Sequence, residues 1–428
     1  MGENREIPKG WATTSIQDIA EVIMGQSPSS ATYNNNGIGL PFFQGKAEFT
    51  DLHPVAEKWC TEPKKIAVND DILLSVRAPV GATNIADRKC CIGRGLAAIR
   101  YHYNHKLIYY YLRLIERELD EQGTGTTFKA ISGEVIRNTR IPLPPIPEQH
   151  RIVAKIEELF SRLDKGIESL KTAQQQLKVY RQAVLKWAFE GNWDVSRFGN
   201  VAEIKRGKSK HRPRDAKELF GGPYPFIQTG EVRAANGGTV NTYSQTYSEI
   251  GLAQSKLWPK GTLCLTIAAN IAETAFLGFD ACFPDSVVGI KTDENILSIK
   301  FVNFYIQKLK QEIDSKASAT AQKNINVEFL ENIPIPIPKI EDQHAIVAEI
   351  ESRLFVCDKI EESIEQSLKQ AESLRQSILK KAFEGKLVPQ DSNDEPASVL
   401  LARIKAERES NKAEVVRHRQ PRKKKARS

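Results

Sequence analysis

A short segment rich in lysine and arginine is the clearest candidate for chemistry in this sequence. It holds one acid, Asp215, and a run of cations within 13 residues: Lys205, Arg206, Lys208, Lys210, Arg212, Arg214 and Lys217. Gly207 and Pro213 predict that the segment is a loop. Such cations neutralise phosphates, and arginine forms bidentate hydrogen bonds to guanine edges. The segment favours a nucleic acid as the partner, with a solvated basic loop as the alternative.

Single polar and basic residues near turns form a second set of candidates. In the second half of the chain these are Gln228, Thr229, Arg233, Lys256 and Lys323, and in the first half Gln26, Gln44, Lys46, Arg77, Arg88, Arg94 and Lys129. Amide side chains suit adenine edges in the major groove. Gln26 begins an uncharged stretch that reaches the asparagines at 34–36, so it is either an adenine contact or part of a plain flexible turn. An ordinary solvated surface position is the alternative for each residue.

Motifs for catalysis are missing from the sequence. The tripeptide at 207–209 resembles the end of a phosphate-binding loop, but Ala202 stands where that motif requires a glycine. No GxSxG, HExxH or calcium-loop pattern appears, and neither does the Asn/Asp-Pro-Pro-aromatic tetrapeptide of adenine methyltransferases. His150 and His344 occupy equivalent places and are interpreted as structural residues at helix starts. We therefore predict a non-catalytic chain that binds no cofactor or metal.

The net charge of +8 is concentrated at one end of the sequence. Residues 403–428 hold 11 basic and 3 acidic side chains, so the rest of the chain is neutral. The ending PRKKKARS is either a DNA-contacting arm or a solubilising tail. No apolar run of about 18 residues is present, the start MGENREIPKGW lacks the apolar core of a signal peptide, and the six cysteines form no CxxC pair. We expect a cytoplasmic protein with reduced, buried thiols and no membrane segment.

A long internal repeat supplies the elements that would position the candidate residues. Residues 141–191 and 335–385 align without a gap at an offset of 194, and 24 of 51 positions are identical. Both copies begin with prolines and a Gln-His pair, both end with AFEG, and neither has a proline in between. We predict one helix of about 43 residues in each copy, about 65 Å long.

The apolar pattern of the first copy predicts a coiled coil. Its residues alternate at spacings of four and three over about five heptads: Ile152, Ile156, Leu159, Leu163, Gly166, Leu170, Ala173, Leu177, Tyr180, Val184 and Trp187. The second copy keeps the pattern with polar interruptions. Because domain termini usually lie close together, the second helix should begin where the first ends, and the two should pack antiparallel. Two core helices of separate domains are the alternative.

The segments outside these helices form a second, weaker repeat. PFFQ, ending at Gln44, matches PFIQ, ending at Gln228, and short β-branched runs alternate with turn residues, which predicts mainly strands. We predict an α+β protein. Two mainly-β domains at 1–140 and 192–334 would be held apart by two long antiparallel coiled-coil helices at 141–191 and 335–385 in a pseudo-two-fold repeat. A C-terminal segment with a basic tail would follow at 386–428.

The sequence resembles the DNA specificity subunits (HsdS) of type I restriction-modification systems. The resemblance is carried by both IPxPxxxxQH…AFEG blocks, the PF[FI]Q match, the KLVPQ run ending at Gln390 and the DEPASV run ending at Val399. It covers nearly the whole chain. It implies two target-recognition domains that each read one half of a split double-stranded DNA site, with the helices determining the spacing of the halves.

The resemblance also implies partners. Two modification subunits, which are adenine methyltransferases, would bind the helices, and restriction subunits with translocase and nuclease activity would complete the complex. S-adenosylmethionine, ATP and Mg²⁺ would be held by those partners. Apolar side chains left over from the coiled-coil seam would contact them: Val153, Phe160, Leu185 and Phe189.

Two other functions are compatible with parts of the sequence. One is a coiled-coil scaffold whose end domains bind proteins, and the other is an enzyme with an unrecognised nuclease or methyltransferase site. The basic loop at 205–217 favours DNA recognition over the scaffold. The missing nucleotide and methyl-transfer motifs disfavour the enzyme.

Overall fold

The computed structural model describes residues 7–419 except 126–128, 212, 269 and 319–324, and it omits the side chains of 317–318 and 411–419. The chain divides into two compact units. The first comprises residues 1–169 and 367–428, and the second comprises residues 170–366. Among the described residues, no helix is both long enough and apolar enough to cross a membrane.

Short strands dominate the first domain, as predicted. They are β1 (Ala12–Ser15), β2 (Glu21–Met24), β3 (Tyr33–Asn34), β4 (Leu40–Phe43), β5 (Trp59–Cys60), β6 (Ile66–Ala67), β7 (Ile72–Ser75), β8 (Thr83–Ile85), β9 (Cys90–Ile92), β10 (Leu96–Arg100) and β11 (Arg140–Leu143). The helices are α1 (Ile16–Ile19), α2 (His105–Leu114), α3 (Glu116–Glu121) and α4 (Gly133–Asn138), with 3-10 turns at Ser30–Thr32 and Lys46–Glu48.

Two sheets form the body of this domain. An antiparallel sheet has the order β2-β10-β7-β8, a mixed sheet has the order β3-β5-β4-β9-β6, and β1 pairs with β11. β7 is a central strand, and Ile72, Leu73 and Leu74 are all fully buried because both faces of the strand are covered. The apolar run in the sequence therefore becomes the middle of the sheet.

The second domain repeats this plan. Its strands are β12 (Val195–Arg197), β13 (Ala202–Arg206), β14 (Phe220–Phe226), β15 (Thr239–Val240), β16 (Gln245–Tyr247), β17 (Leu263–Thr266), β18 (Thr274–Leu277), β19 (Val287–Thr292) and β20 (Pro334–Pro336). Its helices are α6 (Phe198–Val201), α7 (Thr229–Ala235), α8 (Glu249–Ala253), α9 (Ile299–Ser318) and α10 (Val327–Glu331), with a 3-10 turn at Lys217–Leu219. The main sheet has the order β13-β19-β17-β18-β15, and β14 pairs with β16 and β12 with β20.

The strand registers of the two domains correspond. Met24 lies opposite Ala97 in the first domain, and Arg206 lies opposite Val288 in the second. Phe42 runs parallel to Cys91, and Phe226 forms a parallel bridge with Cys282. The weak sequence repeat between the domains is therefore a repeat of topology, which confirms the predicted α+β architecture with internal two-fold repetition.

The two predicted long helices are present. α5 spans Ile146–Ala188, with 43 residues, and α11 spans Ile340–Phe383, with 44. In the second unit, Arg181 of α5 donates to Asp358 of α11 at 2.6 Å, and Arg353 lies 4.5 Å from the ring centroid of Trp187. Later residues of α5 thus lie beside earlier residues of α11, so the helices pack antiparallel in this unit, as predicted.

The buried seam is narrower than the predicted one. It consists mainly of residues spaced by seven: Gln149, Ile156, Leu177 and Val184 in α5, and Gln343, Ile350, Cys357, Ile364, Ala371 and Ile378 in α11. Leu163 and Leu170 in the same series are half-buried, and Ile152 of the alternate series is buried in the core of the first unit. The alternate positions Tyr180 and Trp187 were predicted in the seam but are 45% and 51% exposed. A pair of helices buries only one stripe of each partner, and these bulky side chains lie at its edge.

The glutamine of each Gln-His pair joins a long helix to its domain. Gln343 is fully buried; its amide Nε2 donates to the carbonyls of Ile296 and Pro338, both at 2.9 Å, and its Oε1 accepts from the amide of Ser298 at 2.8 Å. Gln149 is buried in the same way and donates to the Pro144 carbonyl at 2.9 Å. The adjacent histidines are exposed. The glutamine is therefore the buried anchor at each helix start.

A buried carboxyl group marks the start of α5. Trp11 Nε1 donates to Glu148 Oε2 at 2.9 Å, and the second carboxylate oxygen has no hydrogen-bond partner among the described residues. Burial raises the pKa of Glu148 above its ordinary value, although the Trp11 hydrogen bond opposes this effect. Arg151, one turn later, donates to Asp394 at 2.6 Å, which ties the C-terminal segment to the same place.

The C-terminal segment continues into helix α12 (Ala397–Arg419). Ala397, Leu400 and Ile404 are buried in the core of the first unit, and the amide of Ala397 donates to the Gly10 carbonyl at 2.8 Å. The start of this segment is therefore a packed helix. Residues 420–428, which include the whole of the basic ending PRKKKARS, lie outside the described residues.

The four apolar side chains predicted to contact partners are used within the chain instead. Val153 and Phe160 belong to the core of the first unit, and Leu185 and Phe189 to a core of the second; all four are at most 9% exposed. Phe160 packs edge-on against Tyr110 of α2. This corrects the prediction, because domain helices cover the apolar face that the coiled-coil seam leaves free.

Candidate nucleic-acid interface

In the first domain, several strand ends meet at one turn, formed by residues 93–95 between β9 and β10. The Gly93 amide donates to the Phe43 carbonyl at 2.8 Å, and the Val76 amide donates to the Gly95 carbonyl at 2.9 Å. The Arg94 amide donates to Ser27 Oγ at 3.2 Å. The chain segments that follow β2, β4 and β7 are therefore held together at the 93–95 turn.

Three predicted residues are brought together here. Gln26, Gln44 and Arg77 each lie within two residues of one of these contacts, and all three have exposed side chains. Lys46 follows in the adjacent 3-10 turn and is also exposed. The structure thus joins residues that the sequence separates by up to 51 positions. Exposed amide and guanidinium groups on one edge can contact base edges or phosphates.

Lys129 lies near the same edge but is engaged in an ion pair. Its carbonyl accepts from the amide of Ala78 at 3.0 Å, which places its backbone beside the segment that follows β7. Its ammonium group donates to Asp120 at 2.7 Å. Both side chains of this pair are more than a third exposed, so the pair is weak.

The second domain makes the corresponding contacts around residues 284–286. The Gly207 amide donates to the Val287 carbonyl at 2.8 Å, the Ile227 amide to Cys282 at 2.8 Å, and the Ile267 amide to Ser286 at 3.0 Å. A Cβ on Gly207 would overlap the carbonyl oxygens of the neighbouring turn, so the close approach requires glycine. The basic loop, which starts at this point, is therefore placed at the same edge as the 93–95 turn of the first domain.

The backbone of the basic loop (residues 205–217) is held on two sides. Gln254 Oε1 accepts from the amides of Lys210 and His211 at 2.5 and 3.0 Å, and Ser255 Oγ donates to the Lys208 carbonyl at 2.9 Å. Lys208 and Lys210 have exposed side chains. The loop is thus a supported surface that presents ammonium groups to solvent.

Three further cations of this loop have definite partners. Lys205 donates to Glu203 at 2.6 Å, and Arg214 donates to Asp285 at 2.8 Å. The guanidinium of Arg206 donates through Nε to the Asp285 carbonyl at 3.0 Å. Arg212 lies outside the described residues.

The remaining predicted residues of this domain lie around the start of α7. Gln228 Nε2 donates to Gln245 Oε1 at 2.8 Å, and Thr229 is the first residue of the helix. Arg233 donates to the side chain of Asn270 at 3.1 Å. Lys323 lies outside the described residues. Gln245 and Asn270 were not predicted, because nothing in their sequence surroundings distinguishes them from ordinary turn residues.

A lysine cluster extends the positive surface of the second domain. The ammonium of Lys256 lies 3.7 Å from the ring centroid of the buried Trp258, and Lys291 lies 5.7 Å from the same ring. Burial, together with the nearby charges of Lys291, Lys205 and Lys208, lowers the pKa of Lys256 below its ordinary value. Lys291 was missed from the sequence because it is a single cation on a strand.

Other candidate chemistry is limited among the described residues. No three His, Cys, Asp or Glu side chains in that part of the chain are grouped as metal ligands would be. The six cysteines are all buried, and burial raises the pKa of Cys90 to about 12 and that of Cys91 to about 11, so both stay protonated at neutral pH.

The helix pair of the second unit carries an exposed apolar surface. It includes Val179, Tyr180, Phe355, Val356 and Ile360, each between 44% and 70% exposed. Leu177 and Cys357 form the floor of a groove between the two helices here. Bulky apolar side chains gathered in this way are typical of a protein-binding surface.

Comparison with known proteins agrees with this architecture. The family model described as "Type I restriction modification DNA specificity domain" matches residues 8–178 and again residues 190–370, together more than half of the chain. The EcoBI specificity subunit of Escherichia coli is 24% identical, with 94% of this chain and 93% of that protein aligned. The putative MjaX specificity subunit of Methanocaldococcus jannaschii is 37% identical over 44% of each chain.

Solved structures share the fold. A chain from a study of complex assembly and conformational transition of the type I R-M system has a TM-score of 0.75 at 20% identity, covering 90% of this chain and all of that one. The HsdS subunit of Thermoanaerobacter tengcongensis has a TM-score of 0.61 at 21% identity, covering 90% of this chain and 99% of that one. The chain therefore belongs to the family of type I restriction modification DNA specificity domains, and it is a non-catalytic specificity subunit for sequence-specific recognition in a type I restriction-modification system.

Proposed function

We propose that each domain reads one half of a split double-stranded DNA site through the edge at which its strand ends meet. The observation that carries this proposal is the matched geometry of the 93–95 and 284–286 turns. Each gathers exposed polar or basic side chains from separate strands. Two domains with one plan and different side chains at the same edge suit two different base sequences.

The proposed contacts differ in character between the domains. In the first domain they are Gln26, Gln44, Lys46 and Arg77, and in the second they are Arg206, Lys208, Lys210, Gln228, Thr229 and Arg233. The amides suit adenine, and the arginines suit guanine. The lysines suit phosphates, whose neutralisation supplies much of the affinity. Lys129, Lys205 and Arg214 would join the phosphate contacts by exchanging weak surface ion pairs.

The long helices would determine the number of unread base pairs between the half-sites. α5 is an uninterrupted helix of 43 residues that connects the two domains in sequence, and such a helix is about 65 Å long. We also propose domain boundaries at residues 140, 191, 334 and 385, which separate the domains from the helical repeat.

Partner subunits would supply the chemistry. Two modification subunits would bind, one for each half of the internal repeat, and restriction subunits would join them. S-adenosylmethionine would be bound by the first kind of partner, and ATP and Mg²⁺ by the second. The exposed side chains of Val179, Tyr180, Phe355, Val356 and Ile360 replace the four buried residues as the proposed docking surface. We propose that the complex works in the cytoplasm, where its DNA target and these cofactors would be available.

The test is to map methylated adenine across the genome of the source organism, with and without the gene for this chain. We expect a split motif with a fixed gap, methylated on both halves, that disappears on deletion and returns on complementation. Methylation that is unchanged by deletion would refute the proposal. It would favour the alternative, a coiled-coil scaffold whose end domains bind proteins.

A further inference from the structure

Equivalent positions in the two turns carry opposite charges. Arg94 lies three residues after Cys91 and three before Ala97, and these two residues are matched in strand register by Cys282 and Val288. Asp285 occupies the same place between Cys282 and Val288. The two domains thus present a guanidinium and a carboxylate, respectively, at the same point of the fold.

Arg94 lies in a tightly packed turn and has an exposed side chain. A Cβ on Gly95 would overlap the Gln44 carbonyl oxygen, so this position needs glycine, and a Cβ on Gly93 would lie 3.2 Å from Ser27 Oγ, so its side is tightly packed. Arg94 is therefore the only side chain that the 93–95 turn presents. It is exposed, and it forms no ion pair with the described residues.

Two exposed glutamines, Gln26 and Gln44, lie near Arg94 in the structure. The Gly93 Cβ position lies 3.3 Å from Cγ of Gln44, and the Arg94 amide is bonded to Ser27, which follows Gln26. An exposed guanidinium on the same edge as two exposed amides can contact neighbouring base pairs. Arginine forms bidentate hydrogen bonds to guanine, and glutamine forms them to adenine.

In the second domain the corresponding residue, Asp285, has a different role. The Asp285 carboxylate accepts from Arg214 at 2.8 Å, and its carbonyl accepts from Arg206 at 3.0 Å. Both arginines belong to the basic loop, so Asp285 holds that loop at the edge where Arg94 stands in the first domain. The turn of the second domain therefore holds the basic loop through a carboxylate, whereas the turn of the first domain contributes a cation of its own, Arg94.

We propose that Arg94 is a specificity-determining residue of the first domain and reads a guanine beside the adenine contacts of Gln26 and Gln44. This assignment rests on the proposed function, in which the domain reads one half-site. The half-site read by the first domain should therefore contain a guanine next to an adenine. The equivalent residue of the second domain, Asp285, would make no such contact in the other half-site.

The experiment compares Arg94→Ala and Arg94→Lys with wild type by genome-wide mapping of methylated adenine in the source organism. Arg117→Ala is the matched control, because Arg117 is an exposed residue of the same domain that forms an ion pair with Glu121. For Arg94→Ala we expect one guanine position of one half-site to become degenerate, with discrimination reduced roughly 5- to 150-fold. The other half-site and the gap should not change.

Arg94→Lys separates base reading from a phosphate contact. Lysine keeps the charge but lacks the planar fork, so we expect partial degeneracy at the same position. If Arg94 contacts a phosphate, Arg94→Lys should resemble wild type, and Arg94→Ala should reduce methylation at all sites without changing the motif. That result would overturn the assignment.

A third variant set identifies the half-site. Lys208→Ala with Lys210→Ala should weaken methylation through the second domain without making the guanine position degenerate. If Arg94→Ala abolishes methylation altogether, the motif of the Arg94→Lys variant distinguishes the two contacts: a degenerate guanine position supports base reading, and an unchanged motif supports a phosphate contact. A wild-type genome without a split motif would refute the proposed function itself, whereas a split motif that all Arg94 variants leave unchanged would refute only this inference.

Discussion

The buried side chain of Gln343 anchors the start of α11 through three hydrogen bonds, and their loss should destabilise the second unit. Replacing Gln343 with alanine removes an acceptor from the buried Ser298 amide and a donor from the carbonyls of Ile296 and Pro338. A stranded buried amide costs about 1–3 kcal/mol, and each broken neutral hydrogen bond costs about 0.5–1.5 kcal/mol. The variant should therefore lower the free energy of unfolding of the second unit by about 2–6 kcal/mol.

Hydrogen–deuterium exchange at the Ser298 amide is the direct assay. In wild type this amide is buried and bonded to a side chain that is itself fully buried, so it should exchange only on local opening. In Gln343→Ala its exchange should become about 5- to 150-fold faster, corresponding to the roughly 1–3 kcal/mol of the stranded amide. The urea midpoint of the second unit should fall in parallel, with an unchanged slope.

Two further variants, His344→Ala and Gln149→Ala, serve as comparisons for Gln343→Ala. His344→Ala changes the exposed neighbour and should stay within about 0.5 kcal/mol of wild type. Gln149→Ala should cost less than Gln343→Ala, because Gln149 donates once, to Pro144, and accepts a longer bond of 3.3 Å from Tyr101. If Gln343→Ala and His344→Ala behave alike in exchange and in urea, the glutamine is not the anchor and the reasoning is wrong.

Three further predictions concern charge and length. Because burial raises the pKa of Glu148, its protonated form stabilises the folded state below the unfolded-state pKa, and this stabilisation is lost as pH rises through the folded-state pKa. Glu148→Gln should therefore have a higher melting temperature than wild type at pH 8, and its stability should lack the fall with rising pH that comes from ionising Glu148. Equal melting curves at pH 8 would show that Glu148 does not have this effect. Replacing Lys208 and Lys210 with alanine should reduce the slope of log K against log salt by about 0.9 for each phosphate that is no longer neutralised, measured by DNA binding of the assembled complex. One heptad inserted after Gly166 in α5 and one after Glu372 in α11 adds about 10.5 Å and should widen the methylated motif by about three base pairs, whereas an unchanged gap would show that the helices do not determine it.

Local patterns in the sequence were sufficient to predict the long helices and the internal repeat. A heptad period, a proline at the start and no proline within are properties of consecutive residues, so α5 and α11 could be predicted to within a few residues. The family resemblance followed from the same blocks. The pattern did not distinguish the buried stripe from its edge, because Tyr180 and Trp187 satisfy the same spacing as the buried seam.

The site could be predicted only in part. The basic loop was visible because its cations are adjacent in sequence, and charge density is a local property. Gln26, Gln44 and Arg77 were candidates without a common position, since nothing in a linear sequence states that the ends of β2, β4 and β7 meet at the turn between β9 and β10. In the sequence Arg94 is one cation among several. The structure distinguishes it, because its flanking glycines pack closely against Gln44 and Ser27.

The sequence by itself determined the class of the protein: two similar domains, two long helices and a role in DNA specificity. Tertiary structure decided which surfaces remain available. Phe160 and Phe189 are apolar residues outside the seam, and only the packing of the domain helices shows that both are covered. Strand pairing likewise decided which residues share an edge, because hydrogen bonds between β-strands join residues far apart along the chain.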